Sequence, residues 1–310
     1  MIKFLLEFSV NNPLKTDMLA KKKAATPMEI KKVGVVGCGQ MGGGITQVCA
    51  QSGYMVAVSE INDNFLKKGL SAIKSSLDKA VQREKITKLD SEAAFARIRG
   101  TTDIKDFTDC ELIIEAAVEN LDLKKQIFSQ IDKVCQKQTI LATNTSCLPV
   151  SEIASVTSRR DRVVGMHFFN PPPVMKLLEI IRTKATSEAT VKTAKKFGES
   201  LGKTIVIVKD TPGFIVNRLM VPQILNAIRM VEAGTATKED IDTGMTLGLN
   251  QPIGPLALAD LIGLDTLLAI AEGIHDKIRE KQYVPPPLLK DMVANRHLGR
   301  KTGRGFYDYE

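Results

Sequence analysis

Tryptophan is missing from this 310-residue chain, and histidine is scarce, with three copies. His167, His275 and His297 are far apart and show no metal-ligand spacing, which argues against a metalloenzyme. The five cysteines, Cys38, Cys49, Cys110, Cys135 and Cys147, are odd in number and form no CxxC pair. That argues for a reducing compartment and against both a disulfide framework and a thiolate metal site. Aromatic residues make up only 5%, and no finger, helix-turn-helix or stacking motif is present, so nucleic acid is a poor candidate partner. No run approaches the roughly 20 apolar residues of a membrane span.

What is present is ordinary for a soluble globular protein: 44% hydrophobic and 25% charged residues, in a chain long enough for two domains. The net charge of +8 suits an anionic partner, and a phosphorylated small molecule is one. Residues 1–28 are lysine-rich (Lys15, Lys21, Lys22, Lys23) after a short apolar start broken by Glu7, and read as a disordered extension. An organelle-targeting peptide is the other reading, with Glu7 and Asp17 against it.

From Lys32 an apolar strand runs into Gly37-x-Gly39-x-x-Gly42 and then a helical pattern, with Gln40 and Met41 inside the turn. Glycines let the chain turn tightly and approach a pyrophosphate, while free N–H groups at the helix start face the anion. The next strand, Met55 to Ser59, ends in Glu60, where an acid hydrogen-bonds the adenine ribose and repels a 2′-phosphate. NAD is therefore expected rather than NADP. A long helix follows, with Leu66, Leu70, Ile73, Leu77 and Val81 at helical spacing and a basic face that includes Lys67, Lys68, Lys74, Lys79, Arg83 and Lys85. That face is either solvated or a docking surface for substrate phosphates. A second helix, about Ser91 to Ile98, completes a helical excursion over 62–98.

The strand-and-helix alternation then resumes. The strand near Glu111 ends in Ala116, Ala117, Val118 and Glu119; a helix from Leu123 contains Lys124; and a strand from Thr139 leads to Asn144 and Ser146. Open α/β sheets bind ligands at the carboxyl ends of strands, so Ala117, Glu119 and Asn144 are candidate cofactor contacts. For Ser146 a helix cap for the segment around Ser151 is the competing explanation. Two further apolar runs, Val163 to Phe168 and Leu177 to Ile181, flank Asn170 and three prolines, which make a stiff connector. Folded back on each other, these strands bring His167 beside Glu179. A carboxylate next to an imidazole holds one tautomer and stabilises its charged form, as a general base requires.

After a strand at Thr204–Val208, Asp210-Thr211-Pro212-Gly213 marks a domain boundary, and the remainder reads as helices: Phe214–Ala233, Lys238–Leu247, Leu256–Lys281 and Leu288–Ala294. The glycine-rich tail from Gly299 lacks phosphate-loop spacing and follows no strand. The expected architecture is α/β: a Rossmann-type, doubly wound, mostly parallel sheet over 29–209, followed by an all-helical domain over 210–310.

Asn-Thr-Ser at 144–146, His-Phe-Phe-Asn-Pro-Pro at 167–172, Glu179 and Asp-Thr-Pro-Gly-Phe-Ile-Val-Asn-Arg at 210–218 follow the dinucleotide signature in order. In these motifs, from about Lys31 to Tyr309, the chain resembles the L-3-hydroxyacyl-CoA dehydrogenase family, most closely its short bacterial 3-hydroxybutyryl-CoA type. The resemblance implies catalytic roles for Ser146, His167, Glu179 and Asn217, with Ser146 and Asn217 holding the substrate oxygens. It implies that Glu119, Lys124 and Asn170 lie near the nicotinamide, and that Ser76 and Arg83 contact an acyl-CoA thioester. The family usually has lysine where Arg83 stands and aspartate where Glu60 stands. It also implies a homodimer through the helical domain, where Leu256, Leu258, Leu261, Ile262, Leu264, Leu267 and Leu268 crowd a few turns. A cytoplasmic enzyme without nucleic-acid or membrane partners is expected. A short-chain dehydrogenase is excluded, because none of Tyr54, Tyr283, Tyr307 or Tyr309 has lysine four places on. A gulonate-type sugar-acid dehydrogenase on the same fold, or a non-catalytic dinucleotide-binding protein, are the rival readings.

Overall fold

The structure, a computed structural model, describes residues 27–309. The extension expected over 1–28 thus lies outside the described residues except for Pro27 and Met28. Met28 does not fit that expectation: its N–H donates to Thr193 Oγ1 at 3.1 Å and its side chain packs on the sheet's core.

Eight strands form one sheet in the order β3-β2-β1-β4-β5-β6-β7-β8: β1 Lys32–Val36, β2 Met55–Ser59, β3 Ile98–Thr101, β4 Leu112–Glu115, β5 Ile140–Thr143, β6 Val163–Phe168, β7 Leu177–Arg182 and β8 Thr204–Lys209. All pairs are parallel except β6–β7, which is antiparallel. Parallel strands covered on both faces need continuous apolar runs, and β4, β5 and β6 are buried along their whole length. Strand β3 begins where the expected helical excursion ends and is not among the expected strands. Its Ile-Arg-Gly-Thr carries no apolar run because it is an edge strand, and Gly100 is there because a Cβ would lie 2.9 Å from Leu70 Cδ1.

Helices α1 Gln40–Gln51, α2 Asp63–Gln82, α3 Lys88–Ala96, α4 Leu121–Val134, α5 Val150–Ala154 and α6 Glu188–Ser200 cover the sheet. Several begin where a side chain accepts from a free N–H of the first turn: Asn62 from Phe65, Asn120 from Leu123, Ser187 from Thr190, and a Thr87–Asp90 capping box for α3. Ser146 is not such a cap. Pro149 precedes α5, and Asp210 accepts from Val150 N and Ser151 N at 3.0 and 2.8 Å.

Beyond β8 the chain is helical: α7 Val216–Glu232, α8 Lys238–Leu249, α9 Pro255–Ile262, α10 Leu264–Ile278 and α11 Pro287–Ala294. The single helix expected over Leu256–Lys281 is broken at Gly263, whose φ of +97° does not continue a right-handed helix. The tail folds onto α9, where buried Asp260 accepts from Phe306 N and Tyr307 N, both at 2.9 Å. Of the crowded leucines, Leu256, Leu264 and Leu267 are fully buried in this domain's own core, each worth about 2 kcal/mol. Much of that apolar excess is therefore already used within the chain, and Leu261 is the one left half exposed.

Candidate active site

At the end of β1, Gly37 (φ +94°) turns the chain into α1. Gly42 lies so close to that turn that a Cβ would fall 1.9 Å from Gly37 O, whereas the space beside Gly39 is open. Gly39 is the N-cap of α1 and no side chain caps the helix, so the first-turn N–H groups of Gln40 and Met41 remain available to an anion. These residues fit a dinucleotide. The Met41 side chain itself packs on the sheet core. Glu60, just past β2, accepts from Cys38 N at 2.7 Å and Ile61 N at 3.1 Å, which ties the acid to the glycine turn. Gln40 Nε2 donates to Asn170 Oδ1 at 3.2 Å, joining this turn to the proline connector. Between them is a cleft of about 600 Å³, bordered by Gly39, Gln40, Glu60, Ser76, Asn170 and Pro172.

The loop after β4 is held from below. Lys124, 1% exposed, places its ammonium 2.7 Å from Glu115 Oε1 and 3.4 Å from Glu119 Oε2, and donates to Ala117 O at 3.3 Å. It lies beneath the expected nicotinamide contacts, not on the cleft surface. Glu115, which sequence reasoning missed, also accepts from Ala117 N and Thr143 Oγ1, both at 2.7 Å. Glu119 Oε1 in turn accepts from Thr145 Oγ1 (2.5 Å), Ser146 N (2.8 Å) and Ser146 Oγ (3.3 Å). Burial pushes the Glu119 carboxyl up, but the Lys124 charge and the Thr145 and Ser146 hydrogen bonds outweigh it and hold the group below the usual range.

In the β6–β7 ladder His167 and Glu179 are directly paired. Nδ1 of His167 is 2.7 Å from Glu179 Oε2, and both side chains are buried. Glu179 Oε1 accepts from Ile215 N and Val216 N, each at 3.1 Å, at the start of α7. With both carboxylate oxygens acting as acceptors, Nδ1 carries the hydrogen, so the neutral tautomer this contact selects is the one with its lone pair on Nε2. Phe169 and Phe214 pack the imidazole at ring-centre distances of 4.5 and 5.7 Å.

These bonds also gather the remaining candidates. Asn217, in the first turn of α7, donates from Nδ2 to Ser146 O at 3.3 Å, and Asn144 Oδ1 accepts from Phe168 N at 2.9 Å. Ser146, His167, Glu179 and Asn217 are thus linked where the ends of β5, β6 and β7 meet α7. Ser76 and Arg83 are not part of that junction: both are exposed on α2, Ser76 at the cleft and Arg83 at the helix's end. Burial, with Glu60 adding to it, pushes the Cys38 thiol up to about 11, and burial with Glu119 pushes Cys147 up to about 12. Neither is a poised nucleophile.

A family profile described as "3-hydroxyacyl-CoA dehydrogenase, NAD binding domain" matches residues 32–211, and the corresponding C-terminal domain profile matches residues 213–309. The chain belongs to the 3-hydroxyacyl-CoA dehydrogenase family. It is an NAD-dependent oxidoreductase of 3-hydroxyacyl-CoA. It is 46% identical over 283 residues to a probable 3-hydroxybutyryl-CoA dehydrogenase of Bacillus subtilis, spanning 91% of this chain and 99% of that one. Identity to the human mitochondrial hydroxyacyl-coenzyme A dehydrogenase is 43% over 294 residues, covering 93% and 94% of the two chains. The crystal structure of (S)-3-hydroxybutyryl-CoA dehydrogenase PaaH1 from Ralstonia eutropha superposes with a TM-score of 0.87 at 47% identity, covering 91% of this chain and all of that one.

Proposed function

We propose that the chain interconverts (S)-3-hydroxybutyryl-CoA and acetoacetyl-CoA, with His167 as the proton-transfer group. The observation that carries this reading is the 2.7 Å bond between His167 Nδ1 and Glu179. NAD, when bound, supplies the hydride acceptor. His167 Nε2 takes the proton of the 3-hydroxyl as hydride leaves C3, and returns it in the reverse direction. Glu179 keeps Nδ1 protonated and balances the imidazolium that forms. Ser146 and Asn217 hold the 3-oxygen while it becomes a carbonyl. The Ser146 hydroxyl donates to Glu119 here, so it turns its hydrogen to the 3-oxygen when it holds the substrate, whose own proton goes to His167.

Cofactor contacts are assigned to Gly37, Gly39, Gln40, Met41, Gly42, Glu60, Ala117, Glu119, Asn144 and Asn170, with Lys124 acting through Glu119. Ser76 and Arg83 take the CoA portion along α2. The helical part from Asp210 onward serves as substrate and dimerisation domain, and exposed Leu219, Leu247, Leu249 and Leu261 support a homodimer. The enzyme works in the cytoplasm.

The test is a chain-length series of 3-oxoacyl-CoA thioesters, C4 to C16, followed by loss of NADH absorbance. The expected result is the highest kcat/KM at C4. A maximum at medium or long chains would overturn the short-chain assignment, and turnover of gulonate but of no thioester would overturn the CoA assignment.

A further inference from the structure

Lys203 lies in the turn between α6 and β8, directly after Gly202 (φ +72°), and is 8% exposed. Its Nζ donates to Pro172 O at 2.5 Å and to Met175 O at 2.8 Å. Among the described residues no carboxylate is among the groups acting on its charge. A buried ammonium without a counter-ion is costly, and it persists only where its hydrogen bonds are well made.

Those two carbonyls belong to the proline connector that borders the cleft. The connector has few hydrogen bonds of its own, because its prolines lack N–H groups; Pro171 O takes Val174 N at 3.0 Å and Met175 N at 3.1 Å. On its other side it presses against α1, where a Cβ on Gly44 would lie 2.7 Å from Pro172 Cδ, and Asn170 accepts from Gln40. The connector is therefore gripped between the glycine-rich helix and the Lys203 ammonium.

We infer that Lys203 is a positioning residue for cofactor binding, holding Pro172 and Met175 so that Asn170 and the prolines form the cleft wall opposite Gly39. This rests on reading the cleft as the NAD site. Burial lowers the Lys203 pKa from its ordinary value; the Cys49 thiol on α1, itself pushed up to about 12, is the other titratable group facing it. The ammonium donates to both carbonyls, and these charge-assisted bonds are stronger than those the neutral amine would make.

Lys203→Met keeps most of the unbranched side chain and removes both bonds. The dissociation constant for NADH, read by fluorescence titration, is expected to rise about tenfold with a smaller change in kcat at saturating cofactor. In the wild type, NADH binding is expected to weaken on the alkaline side as Lys203 loses its proton, and in Lys203→Arg this alkaline loss is expected to shift to higher pH, since guanidinium stays charged. A folded Lys203→Met protein with unchanged NADH affinity would overturn the inference. If Lys203→Met does not fold, an alkaline loss unmoved in Lys203→Arg overturns it instead. Glu60→Ala run alongside separates the two readings: if it weakens NADH binding and Lys203→Met does not, the cleft stands and the Lys203 role falls, whereas if neither changes affinity the cleft assignment itself falls.

Discussion

The β6–β7 hairpin and the α2 arm both carry candidate ligand groups, and they are built in opposite ways. In the hairpin, β6 is buried along its length, and His167 and Glu179 have their polar contacts set by the ladder and by α7. In α2 only Gly69, Ile73 and Leu77 are buried, Lys74 pairs with Asp78 in the open, and Ser76 and Arg83 face solvent. The difference suits the tasks proposed for the two regions. Proton transfer depends on a preorganised geometry, because a misplacement of about 1 Å costs about 10²-fold in rate. A long, charged, flexible substrate handle can be held by exposed side chains, each contributing little and each screened by salt.

The sharpest break in that comparison is His167→Gln. Turnover of acetoacetyl-CoA is expected to fall by about 10²–10⁴-fold with NADH binding retained, measured by steady-state rates and titration. An unchanged rate would take the imidazole out of the chemistry. Glu60→Ala acts on binding alone: NAD affinity is expected to drop about tenfold and the preference over NADP to narrow, while saturated kcat holds. An unaltered cofactor ratio would show that Glu60 does not read the ribose. For the arm, Arg83→Ala is expected to raise the KM for the CoA thioester only a few-fold, with the effect shrinking as salt increases. A large loss of kcat there would mean that α2 is as preorganised as the hairpin.

The smallest expected effect concerns stability. Glu119 has a folded-state pKa below the ordinary value, so it contributes stability above its unfolded pKa of about 4.3, and that contribution is lost as pH falls through the folded value. Glu119→Gln is therefore expected to melt below the wild type near neutral pH, with the gap closing in acid. A gap that stayed constant across pH, in paired thermal melts, would remove the charge from the account.

Much of the candidate site was legible because it sits at strand ends. Gly37, Glu60, Ser146 and His167 each follow or close an apolar run, and ligand groups collect at such points. Supporting groups were harder to see. Glu115 reads only as a strand's last residue, and Lys124, singled out by the resemblance alone, is seen to pair with it only through their burial together. Lys203 carries no motif at all. Strand β3 was hidden because an edge position relaxes the apolar requirement, and the break at Gly263 because glycine within an apolar helical pattern is ambiguous until its φ is known.

Taken alone, the sequence determined that a dinucleotide fold comes first, that a helical domain follows, and which residue types stand at the strand ends. Local periodicity and glycine spacing are properties of neighbouring residues, so they survive without coordinates. The tertiary structure alone decided which groups meet: Gln40 with Asn170 across 130 positions, Glu179 with the start of α7 across 36, and Lys203 with Pro172 across 31. Contacts at such separations depend on how the sheet and its helices pack, which no window along the chain contains.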